Sequence, residues 1–248
     1  MRIAIDISQA VFEGTGVASY TRNLVRALLE IDPNNFYVLF GSSLRRQNNL
    51  VDFLRTLSRN SSYSAKLSWL PPGALTFLWN QLHQVPFENF TGTVDIIHTS
   101  DWTEPPSKIP KVTTIHDLVI YKSPQNLPSS IIENQKDKLR WVKKESQLII
   151  ADSVSTKKDI IQYLQIPENK IRVVYLGVDG NFFPQKIDNI ISLKKRLDIK
   201  KDYILCVGTR EPRKNLERVI AAFKNLRLTD FPVVRCSPSM VLLNQRLG

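Results

Sequence analysis

Three short clusters hold the residue types that could do chemistry. Thr113-Thr114-Ile115-His116-Asp117-Leu118 puts an imidazole and a carboxylate where an apolar run ends. Such an imidazole can hold or move a proton near neutral pH. Gly14-Thr15-Gly16 precedes a helical pattern that starts at Val17. Two glycines before a helix let backbone N–H groups approach an anion at its positive end. The third cluster, Gly208-Thr209-Arg210-Glu211-Pro212-Arg213-Lys214-Asn215, sets three cations at the start of another helical run. Cations beside a helix N-terminus repel it unless an anion sits between them. A phosphate or diphosphate satisfies that geometry, with Arg as fork donor and Lys as point charge. The candidate site is therefore His116 and Asp117, with Gly14, Gly16, Arg210, Arg213 and Lys214 around the phosphates. His98 occupies a similar strand end, whereas His83 lies in an apolar helical segment and reads as structural.

The elements that must position these residues alternate along the chain. Strands are expected at Arg2–Asp6, Phe36–Phe40, Asp95–His98, Lys111–Ile115, Leu148–Ala151, Ile171–Tyr175, Tyr203–Val207 and Pro232–Arg235. Several are continuously apolar, which suits parallel strands covered on both faces. Val17, Tyr20, Leu24, Leu28 and Ile31 form a helical core stripe stopped by Pro33, and Leu216, Val219, Ile220 and Phe223 form another. Thr156 with Asp159 resembles a capping box. The expected fold is a doubly wound α/β sheet whose ligands bind at the carboxyl ends of its strands. The glycine cluster is not a dinucleotide fingerprint. Ser19 replaces the third glycine, seven residues separate Asp6 from Gly14, and Phe40-Gly41-Ser42 offers no acid for a ribose. A nicotinamide dehydrogenase is disfavoured.

Composition bounds the rest. The 248 residues are 42% hydrophobic and 23% charged, an ordinary globular balance. Cys206 and Cys236 cannot make a disulfide scaffold and read as buried small hydrophobes of a reducing compartment. No apolar run reaches membrane-spanning length, and Asp6 interrupts any leader-like start. A cytoplasmic protein is expected. Residues 1–180 hold 20 Lys+Arg and 17 Asp+Glu, and residues 181–248 hold 14 and 6, so the net +11 divides as +3 and +8. The expected division is a Rossmann-like domain over 1–180, a basic linker over 181–201, and the incomplete start of a second Rossmann-like domain over 202–248. Some 47 residues from Asp202 on cannot cover both faces of a parallel sheet, so the sequence reads as stopping early.

The order Gly14-x-Gly16, Thr114-Ile115-His116-Asp117-Leu118, Ala151-Asp152-Ser153, Tyr175-Leu176-Gly177-Val178-Asp179, then Gly208 to Asn215 resembles glycosyltransferase family 4. The resemblance implies a GT-B arrangement of two Rossmann-like domains, the first taking the acceptor and the second a nucleotide-sugar. Transfer would retain the anomeric configuration, onto a cell-surface polysaccharide or lipid-linked acceptor, with a mannosyl- or rhamnosyl-type donor. Gly16 then resembles the loop approaching the donor diphosphate, His116 the histidine beside the donor sugar, and Lys214 the lysine on the leaving group. Thr209 stands where many relatives have arginine, and Arg210 is its neighbour. No Asp-x-Asp occurs among the 14 aspartates, so no metal or other cofactor is expected. The E-x7-E pair of the family's second domain is absent, since none of the nine glutamates has another eight positions on. Efficient transfer by the chain as written is therefore not expected.

The runner-up is a non-catalytic module binding an acceptor or a membrane surface. It rests on Lys136, Lys138, Arg140, Trp141, Lys143 and Lys144, against which Ile132, Leu139 and Val142 argue for an ordinary solvated helix face. A peripheral membrane contact is the expected partner surface on that reading. Nucleic acid is not expected, because the basic runs lack interleaved aromatics.

Overall fold

The computed structural model describes all residues except 59–61, 181, 201–202, 209–213, 226–232, 237–242 and 245–248, with side chains up to residue 222. It divides into two units, Met1–Gly177 and Val178–Gly248. The first is built on a seven-stranded sheet. In chain order its strands are β1 (Arg2–Asp6), β2 (Phe36–Ser42), β3 (Tyr63–Ser68), β4 (Ile96–Thr99), β5 (Lys111–Ile115), β6 (Ser146–Ala151) and β7 (Ile171–Val173). Their spatial order is β3-β2-β1-β4-β5-β6-β7, and every pairing is parallel. The order reverses between β1 and β4, which opens a crevice at their carboxyl ends. The doubly wound α/β sheet expected from the sequence is the fold.

The continuously apolar strands have the expected cause. Tyr37 and Leu39 of β2 pack with Ile5, Val25 and Phe53 on one face. Val38 and Phe40 pack with Trp79, Phe87 and Ile97 on the other. A third core joins Ile115, Leu139, Val142, Ile149 and Ile171. The helices that matter for the site are α1 (Gly16–Ile31), α2 (Gln47–Arg55), α3 (Ser129–Glu145) and α4 (Val154–Asp159).

Several details depart from the sequence reading. β3 was not expected: Tyr-Ser-Ala-Lys-Leu-Ser is short of β-branched residues, and only its edge position makes so polar a strand tolerable. The cap of α4 is Ser153, whose hydroxyl accepts the Thr156 N–H at 3.0 Å, so Thr156 sits inside the helix and not at its start. In α1 the buried positions are Ala18, Thr21 and Val25, whereas Ile31 is exposed. The basic face of α3 is also interrupted. Lys138 is buried, and the Trp141 indole donates to Asn80 O at 2.8 Å while stacking on His83. The solvated face read for Lys136, Lys138, Arg140, Trp141, Lys143 and Lys144 therefore holds except at Lys138 and Trp141.

In the second unit, β8 (Ile204–Val207) pairs parallel with β9 (Val233–Cys236), and β10 (Leu243–Asn244) pairs antiparallel with β9. The stretch read as a linker contains helix α5 (Ile187–Arg196), with Asp188 in its first turn and Lys194, Lys195 and Arg196 in its last, charges that favour its dipole. Helix α6 (Leu216–Asn225) follows β8. Ile187, Ile191, Leu205 and Val207 are exposed. Cys206, expected to be buried, is half-buried. Among the described residues no helix is long and apolar enough to cross a membrane.

Candidate active site

The carboxyl ends of β1, β4 and β5 and the first turns of α1 line a small open crevice. Asp6, His98, Asp101, Thr114 and His116 supply its polar wall, and Val17, Tyr20 and Leu24 its apolar one. Val17, Tyr20 and Leu24 of the stripe read as core on α1 thus face the crevice and are only half-buried, whereas Leu28 packs on the core as expected. Asp6 to Gly14 is longer than a tight turn because a 3-10 turn, Ser8–Val11, fills it. Gly14 adopts φ +80°, a backbone region that favours glycine, and lets the chain enter α1. Thr15 then caps the helix by accepting the Ala18 N–H at 3.2 Å. Among the described residues, nothing beyond its own helical turn lies within 4 Å of the position a Gly16 side chain would take, so its backbone is open to approach.

His116 is held from three directions. Its Nδ1 lies 2.6 Å from Asp152 Oδ2, both side chains being mostly buried (18% and 14% exposed). The Tyr20 ring meets its edge at 4.6 Å between centroids. The Thr156 hydroxyl donates to its carbonyl at 3.1 Å, which ties β5's end to α4. With a carboxylate at Nδ1, the neutral ring carries its hydrogen there and leaves Nε2 as a hydrogen-bond acceptor. Among the described residues nothing bonds Nε2, and the buried Oδ1 of Asp152 has no partner either.

The neighbouring groups are set by burial. The Thr114 hydroxyl bridges the Tyr20 hydroxyl at 2.8 Å and His98 Nε2 at 3.0 Å. Burial, helped by the charges of Lys138 and His116, pushes His98 down to about 4, so its ring is neutral at pH 7. Burial pushes the Asp101 carboxyl up, against the pull of Lys138 and His116. Asp6 is likewise raised by burial, although it accepts the Ser8 N–H at 2.9 Å. The crevice therefore presents a hydrogen-bond acceptor at His116 Nε2 beside two carboxyls, Asp6 and Asp101, whose ionisation burial opposes.

The structure places Gly14, Gly16 and His116 at one edge of the first sheet. Asp117 is exposed, and its Oδ1 accepts the Val119 N–H at 3.1 Å, which makes it a turn-capping group beside the crevice. Lys214 belongs to the second unit, where it is exposed and its Cε lies 3.9 Å from the side-chain position of Gly208, itself at φ +140°. Arg210 and Arg213 lie outside the described residues. Tyr20, Asp101, Thr114 and Asp152 were not singled out as site residues. Asp152 could have been, because it follows β6 as His116 follows β5.

The sequence model of Glycosyltransferase Family 4 matches residues 14–182. A curated relative, O-antigen chain mannosyltransferase B of Escherichia coli, is 25% identical over 116 residues, 46% of this chain and 30% of that protein. Among solved structures, HepE of Anabaena in complex with UDP and glucose superposes with a TM-score of 0.57 at 16% identity, over 95% of this chain and 60% of that one. The same protein in complex with UDP-glucose gives 0.57 at 15%, covering 95% and 59%. The chain thus spans less than two thirds of the length of these relatives, and the structural likeness is one of fold.

Proposed function

This chain belongs to glycosyltransferase family 4, and from that premise we propose that it moves a hexosyl group from a nucleotide-sugar to a polysaccharide or lipid-linked acceptor, with retention of configuration. The observation that carries the reading is the His116–Asp152 pair, open at Nε2 in the crevice where the strand order reverses. Mannose is the favoured sugar because the curated relative is a mannosyltransferase. A nucleotide diphosphate as leaving group is in keeping with the UDP complexes of the structural relative.

As the glycosidic bond to the diphosphate breaks, positive charge grows on the sugar and negative charge on the departing phosphate. His116 Nε2 accepts a hydrogen bond from a donor-sugar hydroxyl and fixes the ring. In the second unit Lys214, Arg210 and Arg213 are the cations for a phosphate in place of a metal, and in the first unit the Gly14–Gly16 turn offers backbone N–H groups to an anion. The acceptor oxygen bonds to the anomeric carbon on the face the diphosphate leaves, and its proton goes to the departing phosphate oxygen. The protein works as a peripheral membrane enzyme.

The test is transfer of labelled sugar from GDP-mannose, and from UDP-glucose as comparison, to membrane-extracted acceptors. His116→Asn and Lys214→Ala should each lower the rate by roughly a hundredfold, the scale for one preorganised group. Release of sugar with inverted configuration, or rates indifferent to both changes, would overturn the reading.

A further inference from the structure

Residues Trp69 to Leu75 read Trp-Leu-Pro-Pro-Gly-Ala-Leu, seven in a row without a polar side chain, directly after β3. A loop that met only water would be polar. This one is turned outward. Trp69 is 65% exposed, Pro72, Gly73 and Ala74 are exposed, and Phe77, one turn further on, is 52% exposed. The loop after β2 lies against it: the Ser42 hydroxyl donates to Leu70 O at 2.7 Å and the Ser43 N–H to Ser68 O at 3.1 Å. That second loop carries Leu44, 50% exposed, followed by exposed Arg45 and Arg46. Between Asp32 and Glu88 the sequence holds five Lys or Arg and a single acid, Asp52.

We propose that these two loops form a membrane-docking surface for anionic lipid. Trp69, Leu70, Phe77 and Leu44 enter the boundary between headgroups and acyl chains, where an indole is favourably placed, while Arg45 and Arg46 meet lipid phosphates. Charge selects this occupant over a second copy of the chain. A symmetric pairing would set the arginine pair against itself or against an acid-poor neighbourhood. Position supports it too. Both loops leave the carboxyl edge of the sheet, the edge that also holds Asp6, His98 and His116, so docking brings the crevice to the plane from which a lipid-linked acceptor would enter. The inference rests on the membrane-contact part of the proposed function and not on the transfer chemistry.

Flotation of the purified chain with vesicles of phosphatidylglycerol and phosphatidylcholine tests it without any sugar donor, so its failure is separable from failure of the transferase reading. The chain should float with the mixed vesicles and not with phosphatidylcholine alone. The doubles Trp69→Ser/Phe77→Ser and Arg45→Glu/Arg46→Glu should each weaken binding about tenfold or more. Lys143→Glu/Lys144→Glu on α3 should leave it unchanged. Brominated lipid should quench the wild-type fluorescence but not that of Trp69→Phe beyond background. Absent flotation, flotation lost only in the α3 variant, or a dimer that Trp69→Ser dissolves would each overturn the proposal.

Discussion

Two histidine–carboxylate pairs of nearly equal length sit at opposite ends of the same sheet. At the amino ends of β5 and β6, His83 Nε2 meets Glu145 at 2.7 Å while Nδ1 meets Trp79 O at 2.9 Å, and the ring stacks on Trp141 at 3.5 Å. The other oxygen of Glu145 takes Lys111 at 2.7 Å, and Lys111 also binds Pro105 O and Glu104. Glu104 in turn accepts from Thr99 and Ser146. Burial raises Glu145, but the hydrogen bond and charge of Lys111 and the contact with His83 outweigh it and hold the carboxyl below its ordinary range. Each side-chain nitrogen and oxygen of His83, Glu145, Lys111 and Glu104 has a partner. At the carboxyl edge, His116 and Asp152 make one bond at 2.6 Å and leave an imidazole nitrogen and a carboxylate oxygen open. The same residue types build a brace where all their valences are closed and a site where some are not.

The brace should respond most strongly to truncation. Lys111→Ala leaves two carboxylates without their buried cation, and urea unfolding at pH 7 should show a loss of about 3–5 kcal/mol. A loss under 1 kcal/mol would mean that the network is not a stability element.

The next effect belongs to the crevice and appears with pH. His98 takes a proton near pH 4 in the folded chain and near 6.5 when unfolded. Between these values the unfolded chain binds the proton and the native one does not, so stability falls as pH drops through the window, by up to roughly 3 kcal/mol. In His98→Gln that portion of the acid slope should vanish. If the slopes of wild type and variant coincide, the His98 ring is already solvated.

The smallest change is expected at the open pair. Asp152→Asn keeps shape and removes charge from a group with one oxygen already unpartnered, so urea unfolding should register only about 1 kcal/mol. A cost equal to that of Lys111→Ala would erase the distinction between brace and site.

What the sequence disclosed follows from which forces act locally. β1 and β5 were bounded correctly because both of their faces are buried, and their runs rich in β-branched residues, Ile3-Ala4-Ile5 and Val112-Thr113-Thr114-Ile115, are the signal. β3 was missed because an edge strand needs little burial and Lys66 can point to water. His116 was legible from its place after β5. Its partner Asp152 lies 36 residues on, and only the sheet register brings them together. Tyr20 and Leu24 were read as core because spacing reports a helix face and not what lies opposite it. For Lys138, a run of cations predicted a solvated face, but the α3 position buries its stem beside Asp101.

The central claim is that, unlike His83, both of whose ring nitrogens are bonded, His116 is held with an open nitrogen for substrate. Long-range ¹H–¹⁵N correlation spectra of the three ring systems, with and without GDP-mannose or UDP-glucose, address it directly. The account predicts a His116 ring protonated at Nδ1 in the neutral form whose Nε2 resonance moves on adding nucleotide-sugar and is assigned by its loss in His116→Asn, while His83 stays fixed. A His116 ring protonated at Nε2, or one that neither nucleotide-sugar moves, would contradict it.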